Sequence, residues 1–230
     1  MKSTSKILKA AVAGLSLFTA SAQADVLGLA GISAGDDSTY AYVGAVIPTN
    51  GDLSKSGYLV RLWGFAQEFE YDRSANLRDV DADGGGVEIA IGHQWVRPNT
   101  RFTAYLGIVD RNLDTSPEDP LSKADGHNTG LKVQLEVTHK LTDQWNFNGM
   151  GSYVGGDDFD DSWLRLRAGK KWRGSLRVGP EFTYVDGPDY DNSRLGIFVS
   201  GISLGSVNLD LSGGAEDGGA YIGVGLSKVF

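Results

Sequence analysis

The chain has 230 residues, 41% of them hydrophobic, with 32 glycines and no cysteine; this fits one folded domain and excludes disulfides and thiolate metal sites. Its 29 acidic residues outnumber 21 basic ones, so nucleic acid is not an expected partner. Beyond the N-terminal segment no apolar run reaches the roughly 18 residues that a membrane helix requires, so any insertion into a bilayer must use strands.

Lys2, Lys6 and Lys9 precede a short apolar core, Ala10 to Ala20, and then Ala22-Gln23-Ala24, a small-x-small cleavage pattern. Residues 1–24 are therefore expected to be an export signal and 25–230 the mature domain. Loss of the three leader lysines leaves 18 basic against 29 acidic residues, a net charge of −11.

In chain order, a glycine-rich run from Val26 to Ala34 predicts a first strand and Tyr40 to Ile47 a second. Pro48 stops the second, because proline has no N–H for a ladder, and Asn50-Gly51 marks the turn that follows. Gly57 to Tyr71 is a third strand, with Arg61, Trp63, Phe65 and Gln67 assigned inward and Tyr58, Val60, Leu62, Gly64 and Ala66 outward. Residues 72–84 read as a polar loop. Val87 to Trp95 and Phe102 to Ile108 alternate cleanly on either side of Arg97-Pro98-Asn99 and form a hairpin.

A long polar connection, Asp110 to Asn128, leads to the clearest strand, Gly130 to Leu141. There Leu131, Val133, Leu135, Val137 and His139 fall on one face and Lys132, Gln134, Glu136 and Thr138 on the other. Its length matches the roughly 9 to 11 residues with which a tilted strand crosses a bilayer. Trp145 to Val154, Ser162 to Trp172 and Ser175 to Val185 follow, with an acidic loop at 155–161 and a ladder weakened at Pro180. Strands near Arg194 to Ile202 and Val207 to Ala215, and then Gly219 to Phe230, complete an even total of twelve.

The fold expected is all-β, a closed antiparallel transmembrane β-barrel of about twelve strands. Odd-numbered connections hold 20 acidic residues against four basic ones, and even-numbered ones are mostly two to four residues long. Long external loops and short periplasmic turns would then put both termini on the periplasmic side. Trp95, Phe102, Trp145, Trp172 and Phe230 fall near the short-turn ends on the outward side, as an interfacial aromatic girdle would. In a soluble β protein the same rings would be core.

The terminal residues Gly223 to Phe230 look like the C-terminal insertion signal of outer-membrane barrels, with Lys228 where an aromatic is commoner. TYAYVGAVIP, SGYLVRLWGFAQEFEYDR and IGHQW, within roughly residues 38 to 95, resemble the cellulose biosynthesis protein BcsS family. That resemblance implies an envelope protein working beside the cellulose synthase and its export path, and supplies no catalytic residues. A non-catalytic monomeric accessory without cofactor or metal is the expectation, meeting outer-membrane lipid and lipopolysaccharide, and in one reading the cellulose-synthesis machinery or glucan. A general porin-like solute channel and a lipid-modifying enzyme are the alternatives.

Candidate site residues lie on the expected inner face: Arg61, Arg101, Lys132, Arg165, Arg167, Lys171 and Arg177 against Glu88, Glu136, Glu181 and Asp210. Isolated charges are costly to bury, so this set is either an ion-paired filling or the wall of a hydrated, weakly anion-selective conduit. Trp63 and Phe65 beside Arg61 would offer flat faces to sugar rings, although aromatics also simply fill small barrels. Asp157-Asp158-Phe159-Asp160-Asp161 and Asp79 to Gly84 are carboxylate-rich but lack EF-hand spacing. Among the three histidines His127, near Asp125 and Thr129 in an external loop, is the candidate base for a lipid hydrolase.

Overall fold

The computed structural model describes residues 25–73, 78–119, 122, 125–156 and 159–230. The expected export signal and the acidic residues Asp157 and Asp158 lie outside the described residues. Twelve strands follow in order: β1 (Leu27–Ala34), β2 (Ser38–Pro48), β3 (Gly57–Arg73), β4 (Arg78–Arg97), β5 (Thr100–Ser116), β6 (Gly126–Lys140), β7 (Trp145–Gly156), β8 (Asp160–Arg173), β9 (Leu176–Asp186), β10 (Asp191–Leu204), β11 (Val207–Glu216) and β12 (Gly219–Val229). Each pairs antiparallel with its sequence neighbours, and β1 pairs with β12 from Leu27↔Val229 to Ala34↔Ile222, closing the barrel. Closure removes the unpaired sheet edges that would otherwise invite aggregation.

Period-two alternation fixes which face is which. On β4, Val87, Ile89 and Ile91 stand outward, 57–66% exposed, while Glu88, Ala90 and Gly92 between them are buried. On β6, Leu131, Val133 and Leu135 are outward and Gln134 is buried inside. An exterior of aliphatic side chains around a polar interior is the inverse of a water-soluble fold, and it suits a hydrocarbon surround. At the short-turn end Tyr58, His93, Trp95 and Phe102 form a string of outward rings, with successive centroids 4.9, 4.5 and 5.4 Å apart. Trp145 and Trp172 are also exposed, so the aromatic boundary expected there is present.

The segments read as polar loops are largely strand. β3 and β4 stay paired out to Arg73↔Arg78, β5 runs to Ser116, β6 starts at Gly126 and β8 at Asp160. Alternation persists beyond the apolar belt with its outward positions changed from aliphatic to acidic. Val80 and Ala82 are fully buried inside, while Glu68, Asp83 and Asp114 face outward across three adjacent strands. Water rather than lipid meets that outer face, so carboxylates replace Leu and Ile without breaking the ladder.

Pro48 ends β2 as expected. Pro180 lies within β9, where the β8–β9 pairing skips from Arg167↔Glu181 to Lys170↔Val178. Gly174, at φ 58°, makes the tight β8–β9 turn, a backbone shape that side chains with a Cβ adopt only with strain.

Candidate functional site

Four inward arginines of this barrel share one construction. Each lies over an aromatic ring, the ring packs against an inward glycine, and the guanidinium is bonded to a carboxylate. Arg61 sits 4.3 Å from the Tyr105 centroid, Tyr105 lies over Gly92, and Arg61 Nε donates to Glu88 Oε1 at 2.7 Å. Arg111 lies 3.8 Å from Phe159, which packs on Gly130 and Gly156, and pairs with Asp161. Arg167 lies 4.7 Å from Phe198, which contacts Gly169, and it joins Glu181 and Asp210. Arg194 lies 5.2 Å from Tyr221, whose hydroxyl reaches Gly196, and Arg194 Nε donates to Glu216 Oε2 at 2.8 Å.

The physical logic is common to all four. A ring needs the space a glycine vacates on the narrow inner wall, its π face attracts the guanidinium, and the carboxylate satisfies the remaining N–H groups. The bonds extend further around the wall. Lys132 Nζ reaches Glu88 Oε2 at 2.8 Å, and Arg61 Nη1 is 3.6 Å from Glu136. Arg194 also donates to Ser33 Oγ and Ser38 Oγ, joining β10 to β1 and β2.

Most of the residues singled out in the sequence therefore face the lumen: Arg61, Trp63, Phe65, Lys132, Glu136, Arg165, Arg167, Arg177 and Glu181 share the inward side by register. They do not form one cluster. Arg61, Lys132 and Glu136 meet around Glu88 on the β3–β6 wall, and Arg167 and Glu181 meet with Asp210 on the β8–β11 wall. Arg177 lies directly across from Lys171 near the short-turn end, with a 3.5 Å contact to Asn146 Oδ1. Trp63 is stacked on Tyr42 at 4.6 Å and Phe65 on Tyr40 at 5.9 Å, so their faces are partly covered by neighbouring rings. Arg61 and Arg167 are inside as assigned, whereas Arg111 falls in a segment read as loop, and Arg194, at the start of an expected strand, is not counted among the inward charges expected. The signal that would have found Arg194 is the unbroken alternation Arg194, Gly196, Phe198, and for Arg111 it is the continuation of Tyr105, Gly107, Val109.

A lumenal cavity of about 100 Å³ is lined by Glu136, Thr138, Asn148, Met150 and Arg165 together with Val137 and Gly149. Glu136, Met150 and Arg165 are register partners on β6, β7 and β8. The long-hairpin end is bridged: Phe69 on β3 packs 5.1 Å from Tyr190, beyond β9 on the opposite side of the barrel. Ser122 Oγ donates to Asp189 Oδ2 at 2.7 Å, and the Tyr71 hydroxyl donates to Asp119 at 3.3 Å.

His127 is bonded to Asp110 at 3.1 Å, not to Asp125, which accepts from the Thr115 backbone N–H. Thr129 Oγ1 also donates to Asp110, at 3.0 Å, so its hydroxyl is aimed at the acid and not at the imidazole. Among the described residues no group of three or more His, Asp and Glu is placed to hold a metal ion. Asp160 and Asp161 of the acidic run accept from Tyr153 and Arg111.

The family model described as cellulose biosynthesis protein BcsS matches residues 28–230. No curated protein sequence matches the chain. Among solved structures, an outer membrane channel from Pseudomonas putida superimposes with TM-score 0.61 at 10% identity, covering 92% of this chain and 97% of that one. The KdgM porin superimposes with TM-score 0.53 at 10% identity, covering 89% and 99%; its complex with disordered oligogalacturonate gives 0.51 at 11%, covering 90% and 99%. At such identities the likeness is one of fold.

Proposed function

Because the chain belongs to the cellulose biosynthesis protein BcsS family, we propose that it serves cellulose production from the outer membrane as a non-catalytic accessory. The observation that carries this reading is the apolar exterior of a closed cylinder, formed by strands of membrane-crossing length on a chain of that family. A leader of the type at residues 1–24 would deliver it across the inner membrane. The barrel works as a monomer in this reading, with its belt in lipid and its acidic outer rim among lipopolysaccharide phosphates bridged by divalent cations.

The lumen favours a scaffold over a freely open pore, since ion pairs join Arg61 to Glu88 and Arg167 to Asp210 inside it. In-frame deletion in the native host tests the role. Cellulose output is expected to fall and to return when the wild-type gene is restored, with the protein recovered in outer-membrane fractions. Unchanged output in the deletion strain would reject the role. A solute channel is the second reading, favoured by the fold shared with porins and by the polar cavity.

A further inference from the structure

Arg165 breaks the pattern of the other lumenal arginines. It lies 5.4 Å from the Trp163 ring, but no hydrogen bond or ion pair holds its guanidinium among the described residues. It lines the lumenal cavity, and so do Glu136, Asn148 and Thr138. Across three neighbouring strands the row Glu136, Met150, Arg165 sets an acceptor, an apolar floor and a donor side by side. Strands are about 4.8 Å apart, so the two charged residues spring from positions roughly 10 Å apart, enough to flank one small ring lying on Met150. The Asn148 amide, bonded to Thr138 Oγ1 at 2.9 Å, adds polar atoms one step along the wall.

Local charge decides which ligand suits this arrangement. Arg61 and Lys132 balance Glu88 and Glu136 on one side of the cavity. On the other, Arg167 holds both Glu181 and Asp210, and these two carboxylates also act electrostatically on Arg165. These four cations meet four anions around the cavity, while Arg101, Lys171 and Arg177 lie further toward the short-turn end, and it is Glu136, in the cavity wall itself, that opposes an incoming anion. What Arg165 lacks is a hydrogen-bond acceptor, not a counter-charge. A neutral polyhydroxyl ring supplies acceptors to Arg165, donors to Glu136 and a C–H face to Met150. The cavity, at about 100 Å³, is several times the roughly 10–15 Å³ that a single water needs.

We propose that Glu136, Met150 and Arg165 form a saccharide subsite that takes one unit of a neutral glucan chain. The choice of a β-1,4-glucan rests on the role in cellulose production proposed above; the recognition of neutral hydroxyls does not. Arg61, bonded to Glu88 and Glu136, is not part of this subsite.

Equilibrium dialysis of the full barrel in detergent against labelled cellohexaose tests it. Wild type is expected to bind saturably, and Arg165→Gln to bind at least about tenfold more weakly, the loss typical of charge-assisted hydrogen bonds. Arg165→Lys, which keeps the charge but loses the fork, and Glu136→Gln are expected to weaken binding too, and they serve if Arg165→Gln does not fold. Heat-modifiable gel mobility reports folding of each variant. No saturable binding of any neutral hexasaccharide by wild type, or binding unchanged in folded Arg165 and Glu136 variants, overturns the subsite. So does tighter binding of oligogalacturonate than of cellohexaose. Binding of maltohexaose without cellohexaose, lost in the same variants, keeps the hydroxyl subsite and removes the link to cellulose.

Discussion

Arg61 and Glu88 are both buried, and each is the other's principal partner. Removing one charge of such a pair strands the other, so Arg61→Ala is expected to cost about 3 kcal/mol or more. The double variant with Glu88→Ala should cost less than the two single ones together, and chemical unfolding in detergent measures the cycle. Gly44 makes a steric counterpart: a methyl there would overlap the Trp63 ring. Gly44→Ala should destabilise by roughly 1–3 kcal/mol through overpacking. Adding Trp63→Ala should recover part of that loss, read by the same unfolding curves. The inward side of Arg61 is as assigned, although both faces of its strand are partly apolar and alternation alone does not orient it. Its partner was not legible, because Glu88 comes 27 residues later in the chain and only the strand register brings the two together. Likewise nothing in the sequence reports that a ring at position 63 needs a glycine at position 44.

Strands obey different rules above and within the belt. Ile91, outward on β4 and 66% exposed, should tolerate arginine poorly, at about 2–4 kcal/mol for a position near the bilayer middle. Glu68→Lys, on the acidic extension of β3, should be near neutral by comparison. Refolding yields into lipid vesicles separate the two. The belt strands were readable because an aliphatic face and a polar face alternate there; the extensions were not, because a strand with water on one side and mouth-closing residues on the other carries the composition of a loop.

The turn joining β2 to β3 is held by Asp52, whose carboxylate accepts from Lys55 and from the Ser54 hydroxyl and backbone N–H. Those bonds, the Lys55 one first, hold the Asp52 carboxyl down at about 2. With the folded value below the unfolded one, its support for the turn is complete above the usual carboxylate range and is lost only as pH falls through about 2. NMR titration of the Asp52 side-chain carbon should show a midpoint well below that of an unstructured aspartate.

For the molecule as a whole, closure at the long-hairpin end matters most. The contact from Phe69 to Tyr190 crosses between opposite walls, and the one from Ser122 to Asp189 joins the β5–β6 and β9–β10 connections. Wild-type barrels in planar bilayers are therefore expected to conduct little. Phe69→Ala with Tyr190→Ala should raise single-channel conductance if those rings form the narrowest barrier, and unchanged currents would move the barrier to the ion pairs below. The cylinder itself was readable from strand count and alternation, but its bridged mouth depends on contacts between residues 48 to 121 positions apart.

One consequence follows from the pairing of β1 with β12. The ring is stitched shut by the first and the last strands, from Leu27↔Val229 to Ala34↔Ile222. Until the final segment emerges, a nascent sheet carries two raw borders of unmet N–H and C=O groups, which bind one another or any extended peptide nearby. The ring accordingly cannot close without β12, and a chain trimmed before Gly219 should be cleared by proteases instead of accumulating in the envelope.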